Sequence, residues 1–425
     1  MKITIDHLTR VEGHGHLVID ASNGELKECR LDIVEAPRFF EGLLQGRHFS
    51  DVAPIVARIC GVCSNSHTLV SLAATEQALG LQISEQSRGL RTLLAFGEIL
   101  QSHLLHLFFM AAPDYLGVPS LLPLAKKRRD LVMRALHLKR LGNEICEVVG
   151  GRAVHPITPC VGGFASLPDT AALQGLRRRL VEALPDLEET VDLFSGFAIP
   201  SFFRETEFLS LAGEGNYPLD GQDLISSDGI KVPVTDYRTV IEEYVVPHST
   251  AKFARASRDT MMVGPLARLK NGLNQLSPMA RSVASALNLD PATLNPYKIV
   301  LARLVEVIHC VEKGIHLIDS LLQHGLRQET VQIMPRAGKG VAAIEAPRGT
   351  LIHAYEYDRN GAITKADCII PTAQNLANIE ADLRELIPTI LDLPRQELSR
   401  QVQMLVRAYD PCISCSTHLL RINFV

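Results

Sequence analysis

The sequence predicts an α+β protein, predominantly helical, with a core bundle of long helices and small peripheral sheets and hairpins. Three observations predict it. Apolar residues recur at helical spacing over long stretches, above all Leu90, Leu93, Leu94, Gly97, Leu100 and Leu104, which buries one face of each helix. Short strand-like runs, "KITI", "HLVID" and "ELKECRLDIV", crowd the first fifty residues between Gly-rich or Asn-Gly turns. No repeat, low-complexity segment or flexible linker divides the 425 residues, so one unit is expected rather than separate domains.

Each element follows in order. A β-rich part spans residues 1–50, with Asn23-Gly24 as a hairpin turn. After Asp51 the pattern becomes helical. "DVAPIVARI" leads into a first C-x-x-C, and "SHTLVSLAATEQAL" follows it as far as Gly80. A long helix runs from Ser84 and is expected to stop before Pro113, because proline lacks the N–H that continues a helix. Further helices are expected near 123–148, 169–195, 298–325, 373–391 and 394–407. From about 203 to 250 turn formers and β-branched residues, as in "SSDGIKVPV", predict an irregular insertion with a hairpin. A second hairpin is expected across Asn360-Gly361, between "TLIHAYEY" and "AITKADCII".

Composition narrows the function. Hydrophobic residues make up 46% and charged residues 21%, with a net charge of −4, ordinary for a soluble globular protein. No basic block points to nucleic acid, and no acidic tail points to disorder. The polar start "MKITIDHLTRVEGHGH" has no signal-peptide core. No apolar run approaches the roughly 18 residues of a membrane span. A cytoplasmic chain without a membrane span is the expectation. The nine cysteines, an odd number, argue against a disulfide framework.

Four of those cysteines form two pairs, Cys60/Cys63 in "RICGVCSNSH" and Cys412/Cys415 in "DPCISCSTH". One C-x-x-C turns two sulfurs toward one ion, and two such turns supply four thiolates, suited to zinc, iron or nickel. Spacing alone leaves a closed structural zinc site open. A redox dithiol fits less well, because the second pair lacks a strand–motif–helix setting. The flanks favour chemistry. His67 and His418 follow the two pairs and Asp410 precedes the second. Glu12 in "RVEGHG", Glu41 in "FFEGLLQGR" and Arg348 in "EAPRGT" sit in loops bounded by glycine or proline. Taken singly, each is an ordinary surface charge.

Together these motifs resemble the large, catalytic subunit of nickel–iron hydrogenases. The likeness spans the chain, from "TRVEGH" through "RICGVC", "GRAVHPITPCVGGF", "EAPRG" and "IIPTAQN" to "DPCISCSTH", and implies that family's large-subunit fold. It implies that Cys60 and Cys412 are terminal nickel ligands. Cys63 and Cys415 would bridge nickel to an iron carrying one CO and two cyanides. Dihydrogen would be split heterolytically, with the proton taken by the Cys412 thiolate or the Arg348 guanidine. Glu12 would pass protons from the terminal cysteine toward the surface. Glu41, the Cys368 carbonyl and His418 would hold a magnesium (or iron) ion. Pro371 and Thr372 would contact a cyanide, and His67 would orient a bridging cysteine. Many relatives carry an acid just before the long-helix histidine. Here Ser102 precedes His103, so Arg348 would keep Asp410 as its one carboxylate partner.

The resemblance also implies C-terminal processing. Residues 1–418 would form the mature catalytic domain, and a maturation protease would remove 419–425, "LLRINFV". "ITIDHLTRVEG", "APRFFEGLL" and "DPCISCSTH" look most like the cytoplasmic NADP-linked bidirectional hydrogenases, or sulfhydrogenases. Methyl-viologen-reducing or NAD-linked relatives remain alternatives, as does a hydrogen sensor. A different class is a four-cysteine zinc scaffold. The related respiratory complex I subunit lacks the four cysteines. The chain has neither a further cysteine cluster nor a G-x-G-x-x-G loop. Its implied partners are therefore an iron–sulfur small subunit, a flavin (FAD) subunit meeting NAD(P), and an additional iron–sulfur subunit.

Overall fold

The apolar stripes meet around three long helices in a computed structural model that describes residues 2–5, 8–22, 25–213 and 215–417. The chain opens with β1 (Lys2–Ile5), β2 (Gly15–Ser22) and β3 (Glu25–Ile33), one antiparallel sheet. The Asn23-Gly24 turn and the 419–425 tail lie outside the described residues. Helices α1 (Phe40–Leu43), α2 (Phe49–Val56), α3 (Ser64–Leu79) and α4 (Glu85–Leu105) follow. Then come α5 (Ala112–Tyr115), α6 (Arg129–Gly150), the short ribbon β4 (Pro159–Cys160) and β5 (Gly163–Phe164), α7 (Thr170–Glu182) and α8 (Leu184–Ser195).

Between residues 203 and 250, β6 (Glu207–Leu211), β7 (Asp223–Ser226) and β8 (Lys231–Pro233) run antiparallel. β9 (Glu242–Tyr244) pairs with β10 (Phe253–Arg255), and β11 (Met261–Met262) joins β6 in parallel. Helices α9 (Pro265–Gly272), α10 (Pro278–Ala286) and α11 (Ile299–His324) come next. The C-terminal part holds the antiparallel sheet β12 (Gly338–Ala346), β13 (Gly349–Tyr357) and β14 (Ile363–Ile369). Helices α12 (Pro371–Thr389), α13 (Arg395–Tyr409) and α14 (Ile413–Ser416) complete it. At about 51% helix with small sheets, the fold is the predicted α+β class.

Four expectations change. The long helix does not stop before Pro113. A π-helical stretch, His106–Ala111, continues it into α5, and the proline then occupies a first-turn position where a missing N–H costs little. That continuous helix, Glu85–Tyr115, is long and apolar enough to cross a membrane, contrary to the sequence reading. Most of it is buried in the protein, where it packs on α6 and α11, so its apolar surface belongs to the core. The helix expected over 169–195 breaks at Ala183, because Pro185 starts a new first turn. Strand β12 and helices α9 and α10 were not anticipated. "GKGVAAIEA" is rich in Gly and Ala, which favour no strand. Its glycines serve contact instead: a Cβ on Gly340 would meet the Ala74 carbonyl oxygen at 1.9 Å, so β12 lies directly on α3.

Apolar packing then places the cysteines. The largest core cluster joins α4, α6, α11 and α13. A second surrounds all four paired cysteines between α2, α3 and the β12–β14 sheet.

A buried four-thiol pocket beneath an arginine

Cys60 ends a short 3₁₀ turn and Cys63 caps the N-terminus of α3. A buried carboxylate fixes that helix start. Glu98 of α4 accepts the backbone N–H groups of Asn65 (2.7 Å) and Ser66 (3.0 Å) and the Ser66 hydroxyl, satisfying donors that a helix start leaves open. Burial pushes the Glu98 carboxyl up to about 7 against the pull of these donors. An acid inside an apolar helix stripe was the signal for it in the sequence, and the reading passed over it.

The second pair reaches the first because the termini are laced together. Asp410 ends α13 in the left-handed region, φ 53°, which Asp tolerates better than most residues. The chain then turns along the N-terminal loop. Ile413 N–H donates to the Glu12 carbonyl at 3.0 Å and Ser414 N–H to Glu12 Oε2 at 3.1 Å. Arg38, which the sequence reading did not single out, staples both pairs. Its Nη2 donates to the Ile59 carbonyl (2.7 Å) and to the Ser414 carbonyl, and its N–H to the Thr417 carbonyl (2.9 Å). Ile59 and Ser414 directly precede Cys60 and Cys415.

All four sulfurs are buried and lie within 4.8 Å of one another. Cys60 Sγ is 3.4 Å from Cys412 Sγ, Cys63 Sγ 3.6 Å from Cys415 Sγ, and Cys412 Sγ 2.8 Å from Cys415 Sγ. Sulfur–hydrogen contacts from Cys412, Cys415 and Cys63, with the nearby Arg348 charge, hold the Cys60 thiol well below its usual range. Burial pushes Cys412 and Cys415 up. Four sulfurs so close are crowded unless a cation draws them in. This donor set fits a soft metal centre, the fit the nickel–iron pair requires.

Arg348 faces the thiols from the two-residue turn between β12 and β13. The turn needs Gly349, at φ +141°, where a Cβ would strike Val263 at 2.4 Å. Arg348 Nε donates to the Asp410 carbonyl (2.7 Å), and Nη2 lies 3.1 and 3.0 Å from the two Asp410 carboxylate oxygens. Ser102 Oγ accepts from Nη1 at 3.4 Å, and among the described residues Asp410 is the carboxylate paired with this guanidinium. Pro371, Thr372 and His67 line the same pocket. Thr372 Oγ1 accepts the Cys412 N–H at 2.9 Å and keeps its own proton to donate. His67 Nδ1 meets His353 Nε2 at 3.2 Å. Glu41 Oε1 accepts the Cys368 N–H at 3.0 Å, with Lys252 Nζ 3.8 Å away, so two of the three expected magnesium ligands are neighbours. His418 lies outside the described residues.

The chain matches the Nickel-dependent hydrogenase family over residues 38–133 and 228–418, and a HoxL-like family over residues 2–36. It is 36% identical to Sulfhydrogenase 1 subunit alpha of Pyrococcus furiosus, over 99% of both chains. It is 27% identical to the NAD-reducing hydrogenase HoxS subunit beta of Cupriavidus necator, over 99% of this chain and 95% of that one. An NAD+-reducing [NiFe]-hydrogenase in the H2-reduced state superposes with a TM-score of 0.88 at 30% identity, over 98% and 99% of the two chains. The Ni-Fe-Se hydrogenase of Desulfomicrobium baculatum shares the fold at 23% identity, with a TM-score of 0.82 over 98% of this chain and all of that one. Four thiols gathered from opposite ends of the sequence and full-length likeness to hydrogenases converge: the chain belongs to the nickel-dependent hydrogenase family, as the large subunit that splits dihydrogen.

Proposed function

We propose that this subunit splits dihydrogen reversibly at a nickel–iron centre and hands the electrons to partner subunits that reduce NAD(P). The observation that carries the reading is the convergence of Cys60, Cys63, Cys412 and Cys415 beneath the Arg348 guanidinium. In this reading Cys60 and Cys412 would hold nickel alone, and Cys63 and Cys415 would be shared with an iron that carries one CO and two cyanides. When bound, the metal pair supplies Lewis acidity and reversible electron transfer.

The chain's own residues do the rest. Arg348 sets a guanidinium charge over the sulfurs in a buried site, where such a charge acts strongly. The proton is taken by the Cys412 sulfur beneath the charged guanidinium or, in the alternative, by Arg348 as a neutral guanidine, in which case its charge is not fixed. Glu12, held against the Cys412 strand by the Ser414 N–H, takes the proton toward the surface. Thr372 and Pro371 would contact a cyanide of the iron, and His67 would orient a bridging cysteine. Asp410 holds Arg348 in place. Glu41, the Cys368 carbonyl and His418 would hold a structural magnesium, or iron, ion.

The reading extends to the assembly. Residues 1–418 act as one catalytic unit in the cytoplasm, beside an iron–sulfur small subunit, a flavin subunit that meets NAD(P), and an additional iron–sulfur subunit. A maturation protease removes residues 419–425. The family match, which ends at residue 418, supports that boundary. Intact mass of the mature subunit should end at His418; a mass that includes Val425 overturns the cleavage. The native complex, isolated anaerobically, should exchange D2 with solvent protons and reduce NAD(P) with H2. A complex that holds nickel and shows no exchange overturns the reading.

A further inference from the structure

Behind Arg348 lies a run of charged side chains that the proposed mechanism does not use. Arg303, His103, Glu306 and Arg268 come from α11, α4 and α9, and all are fully buried. Buried ion pairs gain little stability over apolar packing, so their retention asks for another reason. The contacts supply one. Arg303 Nη1 lies 3.3 Å from Asp410 Oδ2, the carboxylate oxygen that also meets Arg348 Nη2 at 3.0 Å. The same guanidinium donates to the carbonyls of Pro347 (3.5 Å) and Tyr409 (3.3 Å). Those two residues directly precede Arg348 and Asp410. Arg303 therefore grips the backbone that carries each member of the pair, and the carboxylate between them.

Arg303 is itself oriented. His103 Nδ1 lies 3.0 Å from Arg303 Nη1. A guanidinium only donates, so Nδ1 accepts and Nε2 carries the proton. Nε2 donates to Glu306 Oε2 at 2.8 Å. Burial pushes the His103 imidazole down to about 3, consistent with a neutral ring. Arg268 binds Glu306 through two parallel contacts of 2.7 Å and donates to the carbonyls of Ala346 (2.9 Å) and Pro347 (3.4 Å), so it holds the same turn as Arg303.

We propose that Arg303, oriented by the His103–Glu306–Arg268 chain, is a positioning residue that sets the Arg348 guanidinium over the thiols. The inference rests on the reading of Arg348 given above. It also accounts for Ser102. With no second carboxylate on Arg348 among the described residues, Asp410 serves two guanidinium groups, and Arg303 adds a grip on the backbone beside each.

The test uses the holoenzyme complex with three variants: Arg303→Lys, Glu306→Gln and Arg348→Lys. Each is measured for hydrogen oxidation per bound nickel and for the infrared stretches of the iron's diatomic ligands. Lysine keeps the Arg303 charge and loses the planar fork. Arg303→Lys should lower turnover per nickel by about ten- to a hundredfold, the scale of a misplaced reacting group, and shift the infrared bands. Glu306→Gln should do the same more weakly, and it decides the matter if Arg303→Lys yields no holoenzyme. Turnover per nickel and bands unchanged in the decisive variant, while Arg348→Lys loses activity, overturns the positioning role and leaves Arg348 standing. Full activity in Arg348→Lys overturns both.

Discussion

Arg38 is the residue that ties the two cysteine turns to each other through their backbones. The two C-x-x-C turns come from opposite ends of the chain, and loop closure of that length carries an entropic cost. Arg38 bonds to the carbonyl before Cys60 and to the carbonyl before Cys415. Replacing it by alanine should leave the helical content intact and reduce the nickel retained per chain after chelator treatment. Equal retention in wild type and variant would show that the apolar packing alone holds the turns together. Glu12 makes a different prediction, because its carboxylate oxygen faces the Ser414 N–H. Glu12→Gln keeps the hydrogen bond and loses the relay. Hydrogen oxidation should fall about a hundredfold, within the range of a removed acid–base group, with nickel content unchanged. Arg38 was not legible in the sequence, since an arginine beside two phenylalanines reads as surface charge. The cysteines and Arg348 were legible, because their residue types and spacing carry the chemistry directly.

At the scale of elements, α3 is the critical piece. It starts at Cys63, lies on β12 and β13, and is buried on nearly every side. Its polar start is paid for by Glu98 of α4, whose carboxyl burial pushes up to about 7 from 4.5. An acid raised in the folded state binds more protons folded than unfolded between those two values. Stability contributed by the protonated group is present below about 4.5 and is lost as pH rises through about 7, by up to ~3 kcal/mol. The thermal midpoint of the metal-free subunit should therefore fall across that window, and Glu98→Gln should flatten the dependence. An unchanged slope in the variant would assign the pH dependence elsewhere. Long helices were legible from periodicity, which survives in α4, α6 and α11. Strand β12 was not, because its glycines answer to the closeness of α3 rather than to strand propensity. The continuation past Pro113 was not legible either, because a π-helical turn has no sequence signature comparable to a cap.

For the whole molecule, one arrangement recurs. The apolar core built by α4, α6, α11 and α13 surrounds a buried charged chain, and that chain ends at the arginine above the sulfurs. A second apolar cluster packs around the sulfurs themselves. Soft ligands thus sit in a buried pocket with an arginine beside them, a setting in which thiolate–metal chemistry is tuned by its surroundings. The four thiols by themselves also suit zinc, and a zinc scaffold would use the same turns. The family match separates the two readings, and the metal tests the separation directly. The most direct test is elemental analysis of the anaerobically purified native complex for nickel, iron and zinc. Near-stoichiometric nickel, with iron beyond what the partner clusters hold, is the predicted result. One zinc and no nickel in active native material would contradict it.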